Sequence, residues 1–229
     1  MEPLQAPLPL RLAAALTFGA LVACFVLLSG GSTLHGEDGP IEVASVIAYL
    51  GAAACFVLGA PDGLRGSWQI PASLLLAAGR ELDLDKSLLS EGLLMSRFYF
   101  GDAPLWEKAV GLAVVAFALW TGWRLVRHGT GPALRAIRDG AAWAVLAAGA
   151  VLALVVAKTF DGFARKLRPL GVEVSDALNR TLSLVEEWLE LGASVALLLA
   201  VLLWVRVRDV GQDREEAAHA GPEAHLNRR

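Results

Sequence analysis

Three acidic residues, Glu186, Glu187 and Glu190, come directly before an uncharged stretch, residues 191–205. In a helix, Glu186 and Glu190 are four residues apart and Glu187 and Glu190 three apart, so each pair shares a face. Carboxylates that are packed together at low dielectric favour one another's protonated form, which suits proton exchange or cation binding. The spacing therefore predicts a site for a proton or a cation on this helix.

Long apolar blocks must position these residues. The chain is 55% hydrophobic and only 19% charged, whereas a soluble domain is about 45–50% apolar and about 25% charged. A bilayer needs about 20 apolar helical residues per crossing, and all seven tryptophans lie toward block ends, as expected at a membrane interface. We expect an all-α, polytopic transmembrane bundle in one domain, residues 1–208. The six predicted spans are residues 12–30, 41–60, 66–84, 104–124, 141–158 and 182–205.

Three of these spans reach the required length only if they include charged residues. Their uncharged stretches, residues 66–79, 109–123 and 191–205, have 14, 15 and 15 residues, so each needs about five more. With six alternating spans, the added charges fall at one membrane face and form a polar layer. The layer comprises Glu42, Arg80, Glu81, Asp85, Glu107, Lys108, Lys158, Asp161, Glu186, Glu187 and Glu190.

Ionisable groups at membrane depth are costly and mark function by default. Glu81 and Asp85 repeat the spacing of four and would share a helical face. The predicted proton- or ion-binding residues are Glu81, Asp85, Lys158, Asp161, Glu186, Glu187 and Glu190, with Arg80 and Lys86 as charge partners.

A structural interpretation of the same layer stays open. Glu186 and Glu187 would then form the solvated first turn of a helix, where acidic residues favour the positive end of the dipole. Glu190 would pair with Lys158 or Arg80 to fix helix packing. The depth of Glu81 and Glu190 favours function for these two, whereas Glu107, Lys108 and Asp83 are predicted to lie at the membrane interface.

Basic residues suggest an orientation. Four arginines crowd the predicted loop between the fourth and fifth spans, and two more begin the tail. The positive-inside rule then places both termini in the cytoplasm. The polar segment 209–229 is predicted to be a frayed helix or a disordered tail.

Several kinds of site are absent from the sequence. No histidine falls within a predicted span, so the sequence argues against a haem held by bundle histidines, and no other cofactor is evident. Hydrolase and phosphate-loop motifs are missing. A divalent cation such as Ca²⁺ or Mg²⁺ suits an all-oxygen site.

The net charge of −3 gives no indication of nucleic-acid binding. Cys24 and Cys55 are predicted to be buried and unpaired, because their depths differ too much for a disulfide.

Three short segments resemble elements of an uncharacterised family of bacterial multi-pass proteins of the inner membrane. The segments are RELDLDK at residues 80–86, KTFDG at 158–162 and EEWLE at 186–190. The resemblance implies about six spans and a location in the bacterial inner membrane, and it leaves the chemistry open.

Three functions fit the sequence. The first is ion- or proton-coupled transport or a channel-like role, with the carboxylates as the binding site. The second is an accessory or assembly factor, in which the layer holds helices together or contacts a membrane-protein partner or a second copy of the chain. The third is a membrane-embedded enzyme that acts on a lipid through Glu or Asp. Only the lipid bilayer is a firm expectation as a partner.

Overall fold

The computed structural model describes the backbone of residues 8–29, 39–60, 64–90, 92–93 and 95–219. The helices are α1 (Leu8–Ser29), α2 (Pro40–Gly59), α3 (Leu64–Ser67), α4 (Gln69–Glu81), α5 (Leu84–Leu88), α6 (Ser96–Phe100), α7 (Leu105–Arg138), α8 (Ala142–Phe160), α9 (Phe163–Leu167) and α10 (Asp176–His219). No strand occurs in the part of the chain that the structure describes. The predicted all-α helical bundle is confirmed.

Four helices are long and apolar enough to cross a membrane within the described residues: α2, α7, α8 and the Asp176–Arg208 part of α10. The apolar part of α1, Pro9–Cys24, is shorter. Helix α4 has only 13 residues, fewer than the ~20 that a crossing needs. The count of six spans therefore stays a prediction, although a helix lies at each of the six predicted positions.

Two helices extend beyond the predicted spans. Helix α7 continues to Arg138 and is followed by a tight turn at Asp139 and Gly140, where a loop was predicted. Helix α10 continues to His219, so residues 209–219 of the predicted tail are helical; residues 220–229 lie outside the described part. The α10 extension contains alanine, glutamate and arginine, which are strong helix formers. The α7 extension continues although it contains Gly129, Gly131 and Pro132, and the predicted boundaries followed apolarity alone.

Helices α2 and α10 lie at the centre of the bundle. Helix α2 packs against α1, α4 and α10, while α10 also packs against α8. Small residues allow these close approaches, because a Cβ at Gly51 would overlap the side chain of Thr17 on α1. Cys24 and Cys55 are buried and unpaired, as predicted.

Helices α7 and α8 form the outer part of the bundle. Helix α8 packs extensively against α10 alone, whereas the contacts of α7 with α4 and with α8 are less extensive than those around α2 and α10. Both helices leave large apolar side chains exposed, among them Leu112 and Leu119 on α7 and Leu152 and Val155 on α8. Exposed apolar faces of this extent suit contact with lipid rather than with water.

Candidate functional site

One end of the bundle gathers the ends of two helices against the side of α10. The last two residues of α4 are Arg80 and Glu81, and Lys158 lies in the last turn of α8. Since α4 contacts α2, and both α2 and α8 contact α10, these charged side chains meet the first half of α10. We call the ion-paired group the carboxylate cluster; it comprises Arg80, Glu81, Lys158, Asp161, Glu186 and Glu190.

Glu190 lies at the centre of the carboxylate cluster. Its Oε1 is 2.9 Å from Lys158 Nζ and 3.3 Å from Arg80 Nη1. Its side chain is 11% exposed. Because cations from two other helices contact this one carboxylate, it draws α4, α8 and α10 together.

Glu81 is more weakly compensated than Glu190. Its side chain is only 9% exposed, and it forms an ion pair with Arg80, whose Nη1 lies 3.4 Å from Glu81 Oε1. The same Nη1 serves Glu190, and the Arg80 side chain is 55% exposed. Glu42 is close enough for its charge to act on Glu81 as well. Glu81 is therefore a buried carboxyl group that shares its ion-paired cation with Glu190, while the charges of Lys158 and of Glu42 act on it with opposite sign.

Lys158 connects the cluster to its outer carboxylates. Its Nζ is 3.4 Å from Glu186 Oε1 and 3.5 Å from Asp161 Oδ2. Lys166 donates a hydrogen bond to the Lys158 carbonyl oxygen at 2.8 Å. With four carboxylates (Glu81, Asp161, Glu186 and Glu190) and two cations (Arg80 and Lys158), the ion-paired groups carry a net charge of −2 when all are ionised.

Asp85 does not share a helical face with Glu81, and that part of the prediction is wrong. Helix α4 ends at Glu81, and Asp83 adopts a left-handed conformation with φ 45°. Asp85 Oδ2 instead accepts a hydrogen bond from the Leu93 backbone N–H at 3.0 Å. Lys86 forms an exposed ion pair of 2.7 Å with Asp83. A spacing of four places two residues together only while the helix is continuous.

Glu187 is half-buried on α10 beside Glu186. Glu187 takes part in an interaction in the structure, so its side chain is not without a partner. Its place between Glu186 and Glu190 in the sequence keeps it among the predicted residues, and its role stays a prediction.

Glu107 is buried against the segment that precedes α7, and its predicted position at the membrane interface stays a prediction. Its Oε2 accepts hydrogen bonds from the Ser90 N–H at 2.9 Å and from the Ser90 hydroxyl at 2.6 Å. Lys108 donates to the Gly101 carbonyl oxygen at 2.7 Å. The buried Phe98 ring packs against Gly111. These contacts fix the segment before α7 to the first turns of that helix.

Tyr49 is a member of the site's surroundings that the sequence analysis missed. It is fully buried on α2 and lies close enough to Glu81 and Glu190 for their charges to act on its hydroxyl group. The sequence did contain a signal for Tyr49, since Glu42, Ser45 and Tyr49 have spacings of three and four and so share one helical face. That face of α2 is directed at the carboxylate cluster.

The geometry bears on which ligand the cluster could hold. Among the described residues, no group of three or more His, Cys, Asp or Glu side chains is placed to hold a metal ion. In the cluster, the ammonium group of Lys158 and the guanidinium group of Arg80 lie between the carboxylates. A divalent cation there would have to displace them, whereas a proton would not.

Comparisons with known proteins add no family or function to this geometry: no family model, no curated protein and no solved structure matches the chain.

Proposed function

We propose that this protein is a multi-pass protein of the bacterial inner membrane, with both termini in the cytoplasm, that couples proton binding at the carboxylate cluster to transport or to a channel-like activity. Glu81 is the residue that accepts and releases the proton. The observation that carries this proposal is its environment: a carboxyl group that is 9% exposed and shares its arginine with Glu190.

The physical argument rests on burial and charge. Burial favours the neutral form of a carboxyl group, and a neighbouring carboxylate favours it further. Glu81 meets both conditions, because Glu190 and Glu42 act on it. Binding one proton would reduce the net negative charge of the ion-paired groups from −2 to −1 without displacing a cation. Because the Arg80 side chain is 55% exposed, it extends from this buried region to the protein surface.

The first test compares the thermal stability of wild type and Glu81→Gln across pH in detergent. Glutamine has nearly the shape of protonated glutamate, so Glu81→Gln should be more stable than wild type at high pH. The difference should disappear as the pH falls and Glu81 in the wild type binds its proton. Asp83→Asn is the matched control, because Asp83 is two residues away but exposed and paired with Lys86; its stability should follow that of wild type at every pH.

The second test measures proton flux. Proteoliposomes that contain a pH-sensitive dye and carry an imposed potassium diffusion potential should acidify faster with wild type than with Glu81→Gln or with lipid alone. Asp83→Asn should match wild type. Equal rates for wild type and lipid alone would remove the proton-conducting form of the proposal. Equal rates for wild type and Glu81→Gln would show that Glu81 is not the acceptor.

A second function, that of an accessory or assembly factor, is favoured by the environment of Glu190. Cations from two different helices contact this one carboxylate, an arrangement suited to holding three helices in register. On this interpretation Glu190→Gln would be strongly destabilising, and the stability of Glu81→Gln would depend on pH in the same way as that of wild type.

A further inference from the structure

The end of the bundle opposite the carboxylate cluster is rich in arginine and tryptophan. Arg124, Arg127 and Arg208 lie over the rings of Trp68, Trp123 and Trp204, with guanidinium carbons 5.3, 5.6 and 5.4 Å from the ring centroids. Trp68 and Glu81 are separated by the length of α4, about 20 Å at 1.5 Å per residue. We call this region the arginine–tryptophan end.

At this end, the start of α4 packs against one face of α7. The Trp68 ring lies 6.0 Å from the Phe117 ring and 4.8 Å from the Trp120 ring, centroid to centroid. Arg124 donates a long hydrogen bond of 3.5 Å to the Gly66 carbonyl oxygen. Phe117, Trp120 and Arg124 have spacings of three and four and therefore share a helical face. Thr121 lies on the same face and is buried.

Unsatisfied polar atoms are concentrated at this contact. Among the described side chains, the buried atoms without a hydrogen-bond partner are Gln69 Oε1, Thr121 Oγ1 and Arg124 Nε. Gln69 is 3% exposed and Thr121 is 1% exposed. Leaving such an atom unpaired costs about 1–3 kcal/mol, and all three belong either to the first residue of α4 or to the stretch of α7 that contacts Trp68. A ligand that satisfies them must accept from Arg124 Nε–H, donate to Gln69 Oε1 and either donate to or accept from the Thr121 hydroxyl.

We propose that this contact binds the headgroup of an anionic phospholipid that carries both a phosphate and a hydroxyl group. The phosphate oxygens accept hydrogen bonds from Arg124 Nε–H and from the Thr121 hydroxyl. The headgroup hydroxyl donates to Gln69 Oε1. The positive charge of Arg124 complements the phosphate.

The location favours a lipid over a soluble phosphate. Tryptophan and arginine together are typical of the level at which lipid headgroups lie. Phe117 and Trp120 remain exposed on the apolar surface of α7 beside the contact, where they can pack against an acyl chain. A soluble anion would gain nothing from these rings.

The test uses purified protein in detergent, with dioleoylphosphatidylglycerol and dioleoylphosphatidylcholine as probes and thermal stability as the readout. Phosphatidylglycerol should raise the melting temperature of wild type, and phosphatidylcholine should raise it less. Thr121→Val and Arg124→Gln should each weaken the apparent affinity for phosphatidylglycerol at least about tenfold, since each removes a hydrogen bond to a charged group. Arg127→Gln is the matched control: it removes the same charge one turn further along α7 and should leave that affinity unchanged.

Three outcomes would overturn the proposal. Equal stabilisation by the two lipids would show no headgroup recognition. An equal loss with Arg127→Gln and Arg124→Gln would indicate diffuse attraction to a basic surface. Stabilisation by glycerol phosphate as large as that by phosphatidylglycerol would identify a soluble ligand. If Thr121→Val fails to fold, Gln69→Met provides the same comparison, because it removes the predicted acceptor for the headgroup hydroxyl.

Discussion

At the carboxylate cluster, charges of opposite sign face each other, with Lys158 Nζ 2.9 Å from Glu190 Oε1. At the arginine–tryptophan end, about 20 Å along α10, Arg208 lies over the Trp204 ring and the Trp204 ring stacks on Phe56. The first end depends on residues from three helices. The second has two arginine–tryptophan pairs, one in α7 and one in α10, and the two residues of each pair are four apart in the same helix.

This difference predicts how each end responds to mutation. Removing one partner of a buried ion pair leaves the other charge uncompensated, and the cost is shared by every helix that the pair joins. A cation–π pair within one helix can be lost without exposing a buried charge. The carboxylate cluster should therefore be sensitive to single substitutions, and the arginine–tryptophan pairs should be tolerant of them.

The largest effect is expected for Lys158→Met. This change leaves Glu190 with Arg80 alone and removes the cation of Glu186 and Asp161, so the free energy of unfolding should fall by roughly 3 kcal/mol. The measurement is unfolding followed by tryptophan fluorescence. Lys86→Met, which breaks an exposed pair, should cost less than about 1 kcal/mol. The double variant Lys158→Met/Glu190→Met should recover part of the loss, and failure to do so would argue against the pair as the cause.

A smaller effect is expected for Gly59→Ala, which tests apolar packing at the arginine–tryptophan end. A Cβ at Gly59 would lie 2.5 Å from Val205 Cγ1 and 3.2 Å from Leu10 Cδ1, so α1, α2 and α10 would have to separate. The expected loss is about 1–3 kcal/mol. Gly149→Ala, on α8, is the control because a Cβ there has open space. Equal results for the two would mean that close packing at Gly59 does not stabilise this end.

The smallest effect is expected for Arg208→Gln, which removes one cation–π contact while keeping the helix. The loss should be about 0.5–1 kcal/mol. Arg206→Gln removes the same charge from the same end of α10 and measures the contribution of charge alone. If Arg208→Gln proved as destabilising as Lys158→Met, the proposed contrast between the two ends would be wrong.

The sequence by itself determined where Glu190 lies along its helix, directly before the uncharged stretch from 191 to 205. Because a bilayer requires about 20 residues per crossing and the helix rise is fixed, this position predicts a level near one membrane face. The same counting placed Arg80, Glu81 and Lys158 at that level, and the structure brings them together. The all-α bundle followed from the same apolar blocks.

Only the tertiary structure decided which residues meet. Asp85 turns toward Leu93 because α4 ends at Glu81, and apolarity carries no information about that break. Tyr49 reaches the cluster because α2 packs against both α4 and α10. Trp68 meets Phe117 and Trp120 because α4 packs against α7. Residue counting fixes position along a helix axis, whereas rotation about the axis and the choice of neighbour depend on packing between segments far apart in the chain.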